Sequence, residues 1–176
     1  MSLTIGMKTP HFTLPGTDDA VHSNRPDDSA AKITVVYFTC NHCPYALAWE
    51  DRIHAVATDY AAQDVRFFAI NANDADRYPA DSFAQMKSRV AETPWPLPYL
   101  RDEDQIVAAA FGAKTTPDVF VFAADETLAY RGAPDSDYKD ESQNAAWLRE
   151  ALDAILAGNK PDPAETKPVG CSIKWK

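Results

Sequence analysis

Two kinds of apolar run alternate along this chain. Ile33-Thr34-Val35-Val36-Tyr37-Phe38 is β-branched, aromatic and almost wholly apolar, as a strand buried on both faces must be. Val65 to Ile70 and Val119-Phe120-Val121-Phe122 repeat that character. Between the first two runs, Trp49, Ile53, Val56 and Tyr60 recur at helical spacing with Glu50, Asp51, Arg52 and Asp59 among them. This predicts a helix from Pro44 to about Ala62, broken at Gln63-Asp64. A second helix is predicted over Asp81 to Glu92. Pro94, Pro96 and Pro98 then punctuate a connection into a short strand near Tyr99-Leu100. Asp102 fits the N-cap of a helix running to Phe111 and stopped by Gly112. Asp125-Glu126 turns the third strand back into Thr127-Leu128-Ala129-Tyr130, a hairpin. A last helix, from about Gln143 to Ala157, has Leu148, Leu152 and Ile155 as its stripe and ends at Gly158.

The first thirty residues are turn-rich: Pro10, Pro15-Gly16, Asp18-Asp19, Asn24-Arg25-Pro26 and Asp27-Asp28. Extended pieces at Phe12–Leu14 and Ala20–His22 read as a small N-terminal hairpin. Alternating strands and helices predict one α/β domain with a mixed central β-sheet flanked by helices. Residues 1–158 form that domain, and 159–176 are a tail expected to pack on it, strapped down by Trp175.

At 176 residues and 45% hydrophobic content the chain suits a single packed core. Lys plus Arg is 17 against 26 for Asp plus Glu, a net charge of −9, which argues against nucleic acid or an anionic membrane surface as a partner. No run approaches the ~18 apolar residues of a transmembrane helix. No apolar stretch follows Lys8, so no secretory signal is read and the cytoplasm is the expected compartment. Asn71 to Asp76 holds two Asp and two Asn without the glycine or terminal Glu of a calcium loop. Asp102-Glu103-Asp104 reads as a charge cluster at a helix start. Trp95 fits either core packing or the wall of a peptide groove.

Cys40-Asn41-His42-Cys43-Pro44 joins a buried strand to an amphipathic helix. A helix N-terminus favours a thiolate, and two intervening residues let the sulfurs reach bonding distance. Pro44 suits the first helical turn, which needs no N–H there. His42, when protonated, would lower the Cys40 pKa further and make the disulfide more oxidising. Cys40 is therefore the candidate nucleophile and Cys43 the resolving thiol. Two other readings stay open: inert buried thiols, or half of a zinc or copper site. Such a site would have to recruit Cys171 and one of His11, His22 or His54, none at ligand-type spacing. Cys171 is either idle in a strapped tail or a third redox cysteine.

The strand–Cys-x-x-Cys-Pro–helix unit, with Thr116-Pro117 just before a later strand, resembles the thioredoxin superfamily. The opening Gly6-Met7-Lys8-Thr9-Pro10-His11-Phe12-Thr13-Leu14-Pro15-Gly16 is similar to the redoxin branch, the alkyl hydroperoxide reductase/thiol-specific antioxidant (AhpC/TSA) group. The Phe38 to Pro44 stretch with the Gly170-Cys171 tail resembles a peroxiredoxin-like subgroup of it. The resemblance spans roughly residues 3–157. It implies a thioredoxin-like fold, a cis-proline at Pro117 packed against the cysteine pair, and backbone groups of Thr116 offered to an incoming polypeptide. It implies thiol–disulfide exchange with protein or small-molecule substrates and a thiol reductant system, no cofactor and no metal; oligomeric state is left open. Two departures follow. The peroxidatic Pro-x-x-x-Thr/Ser-x-x-Cys pattern fails, since Tyr37 and Ile33 (counting from Cys40) or Cys40 and Val36 (from Cys43) fill the Thr and Pro places. The family's peroxidatic arginine is replaced by Thr115-Thr116-Pro117. Arg101 and Arg131 are expected in exposed salt bridges, so slow peroxidase chemistry at Cys40 is the weaker alternative. Unlike thioredoxin, residues 33–38 carry no acidic proton relay, which leaves proton transfer to His42 or water.

Overall fold

The computed structural model describes residues 2–26 and 32–176; the turn expected at Asp27-Asp28 lies outside the described residues. Strands β1 (Thr13–Pro15) and β2 (Val21–Ser23) pair antiparallel with Leu14 opposite His22, the expected hairpin. There follow β3 (Ile33–Phe38), α1 (Pro44–Tyr60), β4 (Val65–Asn71), α2 (Phe83–Glu92), β5 (Tyr99–Arg101), α3 (Ile106–Phe111), β6 (Thr115–Thr116), β7 (Asp118–Phe122), β8 (Leu128–Gly132), α4 (Ala146–Leu156) and β9 (Cys171–Ser172). The central sheet runs β5-β4-β3-β7-β8, with β3, β4 and β5 parallel and β7 and β8 antiparallel to their neighbours. This is the thioredoxin-like mixed sheet.

Every residue of β3 is buried, so its alternating side chains build two separate cores. Ile33, Val35 and Tyr37 face one layer, with Phe67 and Ala69 of β4 and Val119 and Val121 of β7. Trp49, Ile53, Val56 and Tyr60 of α1, Met86 of α2, and Leu148 and Leu152 of α4 cover that face. Val36 and Phe38 face the other layer, where Phe111 of α3 lies within 6.2 Å, ring to ring, of Phe12, Phe38, Phe120 and Phe122. Leu3, Leu14 and the tail residue Ile173 close that side. One buried polar node pins α1 to the segment before α4. Asp135 accepts from the Trp49 indole (2.7 Å), the Arg52 guanidinium (2.9 Å) and the Ala145 amide (3.0 Å).

Three helix starts move. Residues 79–81 form a 3₁₀ turn, and Ser82 caps α2 by accepting from the Gln85 amide, so α2 starts at Phe83. Asp102 is not the N-cap of α3. Gln105, in left-handed backbone at φ 61°, precedes the helix, and the Asp102 carboxylate reaches forward to the Val107 and Ala108 amides. α4 starts at Ala146, because the Ala145 and Leu148 amides are taken by Asp135 and by the Pro134 carbonyl.

The tail is held by Ile173 and by its backbone rather than by Trp175, which is 41% exposed. Strand β9 pairs antiparallel with β6, placing Cys171 opposite Thr116 and Ser172 opposite Thr115. The Ile173 amide donates to Lys114 O, and Lys174 donates to Asn73 Oδ1 while accepting from Asp74 and from Gln105. No helix among the described residues is long and apolar enough to cross a membrane.

Candidate active site

Strand β3 delivers the chain to the junction. Thr39 continues its ladder by donating to Ile70 O, and the backbone then leaves the sheet over Cys40-Asn41-His42. Cys43 is the N-cap of α1, with extended backbone, and Pro44 takes the first helical position as expected. The turn between the cysteines is fastened at Asn41. Its backbone amide donates to Asp81 Oδ1 (2.7 Å), its side-chain Nδ2 donates to Ala80 O (2.8 Å), and its side-chain Oδ1 accepts from the Tyr99 hydroxyl (2.8 Å).

Asp81 is fully buried and belongs to the 3₁₀ turn before α2. Asn71 and Asn73 donate to its two carboxylate oxygens at 3.2 and 2.9 Å. His42 Nδ1 lies 2.6 Å from Asp81 Oδ2 yet out of line for a hydrogen bond, and the His42 ring stacks parallel on Tyr78 at 5.6 Å. Asp81 thus places a buried carboxylate beside the cysteine turn although β3 carries none, anchored by Asn71 and Asn73 of the polar stretch 71–76.

The Thr116–Pro117 peptide is cis, and Thr116 faces both cysteines. Its hydroxyl lies 3.4 Å from Cys40 Sγ, and its carbonyl accepts from the Cys43 thiol at 3.1 Å. All three cysteines are free thiols. Cys40 and Cys43 are 1% and 0% exposed, whereas Cys171 is half-buried and packs against them. Thr116 itself is 2% exposed beneath β9. The backbone edge expected to meet an incoming polypeptide is thus occupied by the chain's own tail.

Backbone N–H groups at the helix start reach both sulfurs, that of His42 acting on Cys40 and that of Ala46 on the cap residue Cys43. A hydrogen bond from the Cys40 thiol pulls Cys43 down to about 4, with smaller help from Thr116, the Ala46 amide and the Cys171 thiol, against a burial penalty. The same pairing with Cys43, burial and the nearby Asp81 charge push Cys40 above the ordinary thiol range. His42 assists Cys40 through its backbone N–H, while its ring turns to Asp81. Burial, and then Cys43, raise Cys171 to about 11.

The remaining candidates are spoken for. Arg101 and Arg131 are buried, not exposed. Arg101 bonds Glu103 and the carbonyls of Asn71, Asn73 and Asp81, and Arg131 pairs with Asp118 at 3.0 Å. None of these bonds reaches Cys40. His11 faces Glu126, His22 faces Asp18, and His54 packs on Trp95, which stacks on Tyr99 against the core. The ligand-type groups that do converge are Cys40, His42 and Asp81, whose Sγ, ring nitrogen and carboxylate oxygen lie within 4.8 Å of one another. A soft sulfur with imidazole and carboxylate suits zinc chemistry, though both carboxylate oxygens already accept amide bonds. Sequence reasoning missed Asp81, which carries no motif and reads as an ordinary helix start.

The AhpC/TSA family profile matches residues 5–131. A search of curated proteins found no match. Among solved structures, an uncharacterized conserved protein from Geobacillus kaustophilus superposes with a TM-score of 0.92 at 38% identity, covering 98% of this chain and 93% of that one. A hypothetical protein from Sinorhizobium meliloti 1021 gives 0.92 at 31% identity, covering 100% and 97%. A thiol:disulfide interchange protein of the thioredoxin family from Chlorobium tepidum TLS shares the fold at a TM-score of 0.63 and 15% identity, over 89% of this chain and 98% of that one.

Proposed function

As this chain belongs to the AhpC/TSA family of the thioredoxin superfamily, a family of redox proteins, we propose that Cys40 and Cys43 form a redox-active pair that exchanges disulfides with thiol substrates. The observation that carries this reading is the placement of both sulfurs at the start of α1 against Thr116, whose hydroxyl lies 3.4 Å from Cys40 Sγ and whose carbonyl accepts from the Cys43 thiol at 3.1 Å, just before the cis Pro117.

In the oxidised pair a substrate thiolate attacks Cys40 Sγ. The Cys40–Cys43 bond breaks and its electron pair goes to Cys43. Cys43 leaves as a thiolate; the neighbouring Cys40 thiol lowers its pKa, which favours it as a leaving group and the disulfide as an oxidant. A second substrate thiolate then attacks the substrate sulfur of the mixed disulfide and expels Cys40, which takes up a proton. Two substrate thiols become one disulfide, and the pair gains the two electrons. Run in reverse, Cys40 opens a substrate disulfide and Cys43 resolves the intermediate. Thr116 positions both sulfurs in either direction, through its hydroxyl to Cys40 and its carbonyl to Cys43. Pro117 holds that edge against the pair, and His42 with Asp81 supplies the polar wall beside Cys40.

The peroxidase alternative finds less support. Tyr37 and Ile33 are core residues, and the guanidinium donors of Arg101 and Arg131 are spent elsewhere. The test is steady-state exchange with a small dithiol as reductant and a chromogenic small disulfide as oxidant. Cys40→Ser and Cys43→Ser are each expected to lower turnover by on the order of 100-fold or more, since the resolving step is lost with either sulfur. Full turnover by both variants would refute the assignment.

A further inference from the structure

The site described above is shut in a specific way. Two reactive sulfurs lie at 0–1% exposure, and the segment lying over the edge beside them carries a third thiol. That segment is fitted, not draped. Gly170 passes so close to Thr116 that a Cβ there would stand 2.3 Å from Thr116 O and 2.7 Å from Thr116 C, both backbone atoms with no freedom to move aside. The following residue, Cys171, is registered opposite Thr116, the residue whose carbonyl and hydroxyl touch Cys43 and Cys40. Its side chain packs against the cluster of Cys40, Cys43 and Ala46. Downstream, Ile173 is 3% exposed and Lys174 is tied to Asn73, Asp74 and Gln105. The strand is therefore anchored one turn away from the sulfurs and holds its cysteine in place over them.

We propose that Cys171 is an internal exchange partner of the redox pair, so that the oxidised chain exists as two isomers, Cys40–Cys43 and Cys43–Cys171. This rests on the proposed function of Cys40 and Cys43 and adds a third redox residue to it. The step balances within the chain. The Cys171 thiolate attacks Cys43 Sγ, the Cys43–Cys171 bond forms, and the Cys40–Cys43 bond breaks with its electron pair on Cys40. The proton lost by Cys171 ends on Cys40. No net oxidation occurs, and no external oxidant is consumed beyond the disulfide that first oxidised the pair. In the second isomer the tail is stapled over the site and Cys40 is released as a free thiol.

The chemistry is read on the full chain. The reduced protein is oxidised with glutathione disulfide, quenched in acid, alkylated and digested with trypsin without reduction. Cys40 and Cys43 share one tryptic segment, bounded by Lys32 and Arg52, so a link to Cys171 appears as a cross-linked pair of peptides. Both linkages are expected in the natural sequence. In Cys40→Ser the Cys43–Cys171 link becomes the dominant disulfide. Gly170→Val, which forces the strand away from Thr116, is expected to lose the Cys171 link and keep Cys40–Cys43. A Cys40–Cys43 disulfide in the natural sequence with no Cys171 link there or in Cys40→Ser overturns this proposal alone. Undiminished Cys171 linkage in Gly170→Val also overturns it, since the fitted strand would then be irrelevant. Failure to form Cys40–Cys43 at all overturns the parent reading, and this one with it.

Discussion

His54 lies on α1 with its ring against Trp95, 4.6 Å between centroids, and Nε2 3.4 Å from the Tyr37 hydroxyl. Burial drops its pKa to about 4, with Arg89 adding to the fall and Asp51 opposing it. In the unfolded chain the same ring titrates near 6.5. Between those values the unfolded state binds the proton first. The stability that His54 contributes is therefore complete above pH 6.5 and is lost as pH falls toward 4. Because the ring is partly exposed, the effect is about 1–2 kcal/mol, less than the full shift would give. Urea unfolding at pH 7 and pH 4.5 should show this loss in the natural sequence and a smaller one in His54→Gln; equal losses would refute the assignment. At this scale the sequence is uneven evidence. The Cys40–Cys43 pair and Thr116-Pro117 were legible because spacing and neighbours mark them. Asp81 was not, because a buried carboxylate is recognised only by what folds around it. Here those groups are Asn41 from the turn before α1, Asn71 at the end of β4 and Asn73 just after it.

The elements follow from periodicity wherever packing and propensity agree. Strand β3 and helix α1 sit where the apolar pattern puts them, and Gly112 and Gly158, both at positive φ, mark the ends of α3 and α4. Boundaries moved where a distant side chain took an amide. Asp135 is the clearest case, since it ties Trp49, Arg52 and Ala145 together and so sets where α4 begins. Asp135→Ala would leave the nearly buried Arg52 guanidinium without its carboxylate, with only the Asp137 and Tyr138 carbonyls as acceptors, and the Trp49 indole without an acceptor. Removing one member of such a group costs about 3–5 kcal/mol. Chemical denaturation should show a loss of that size with an unchanged m-value, whereas a loss below about 1 kcal/mol would mean that the node is solvated in practice. Strand β9 was beyond sequence reasoning. Two residues carry no periodicity, and only the close passage of Gly170 over Thr116 explains why that short strand exists.

For the whole molecule, the alternation of buried strands and amphipathic helices was enough to read an α/β domain with a mixed sheet; the Cys40–Cys43 unit and Thr116-Pro117 carried the resemblance to the thioredoxin superfamily, and the AhpC/TSA match agrees with it. What the pattern could not reveal is how the domain closes on itself. The tail crosses from the end of α4 to the junction of β3 and α1, covers Thr116 and brings a third cysteine to the pair. Cys40 and Cys43 themselves are buried. The central claim is that Cys40 and Cys43 act as one two-electron couple. It is tested most directly by equilibrating the full chain in a graded series of thiol–disulfide buffers, quenching, and mapping alkylated cysteines by mass. The account predicts that Cys43 and one partner, Cys40 or the Cys171 that exchanges with it, lose their free thiols together, in a single step with two-electron slope, at a potential on the oxidising side of the thioredoxin range. Thiols that remain free at every potential, or that stay masked until a chelator is added, would contradict it.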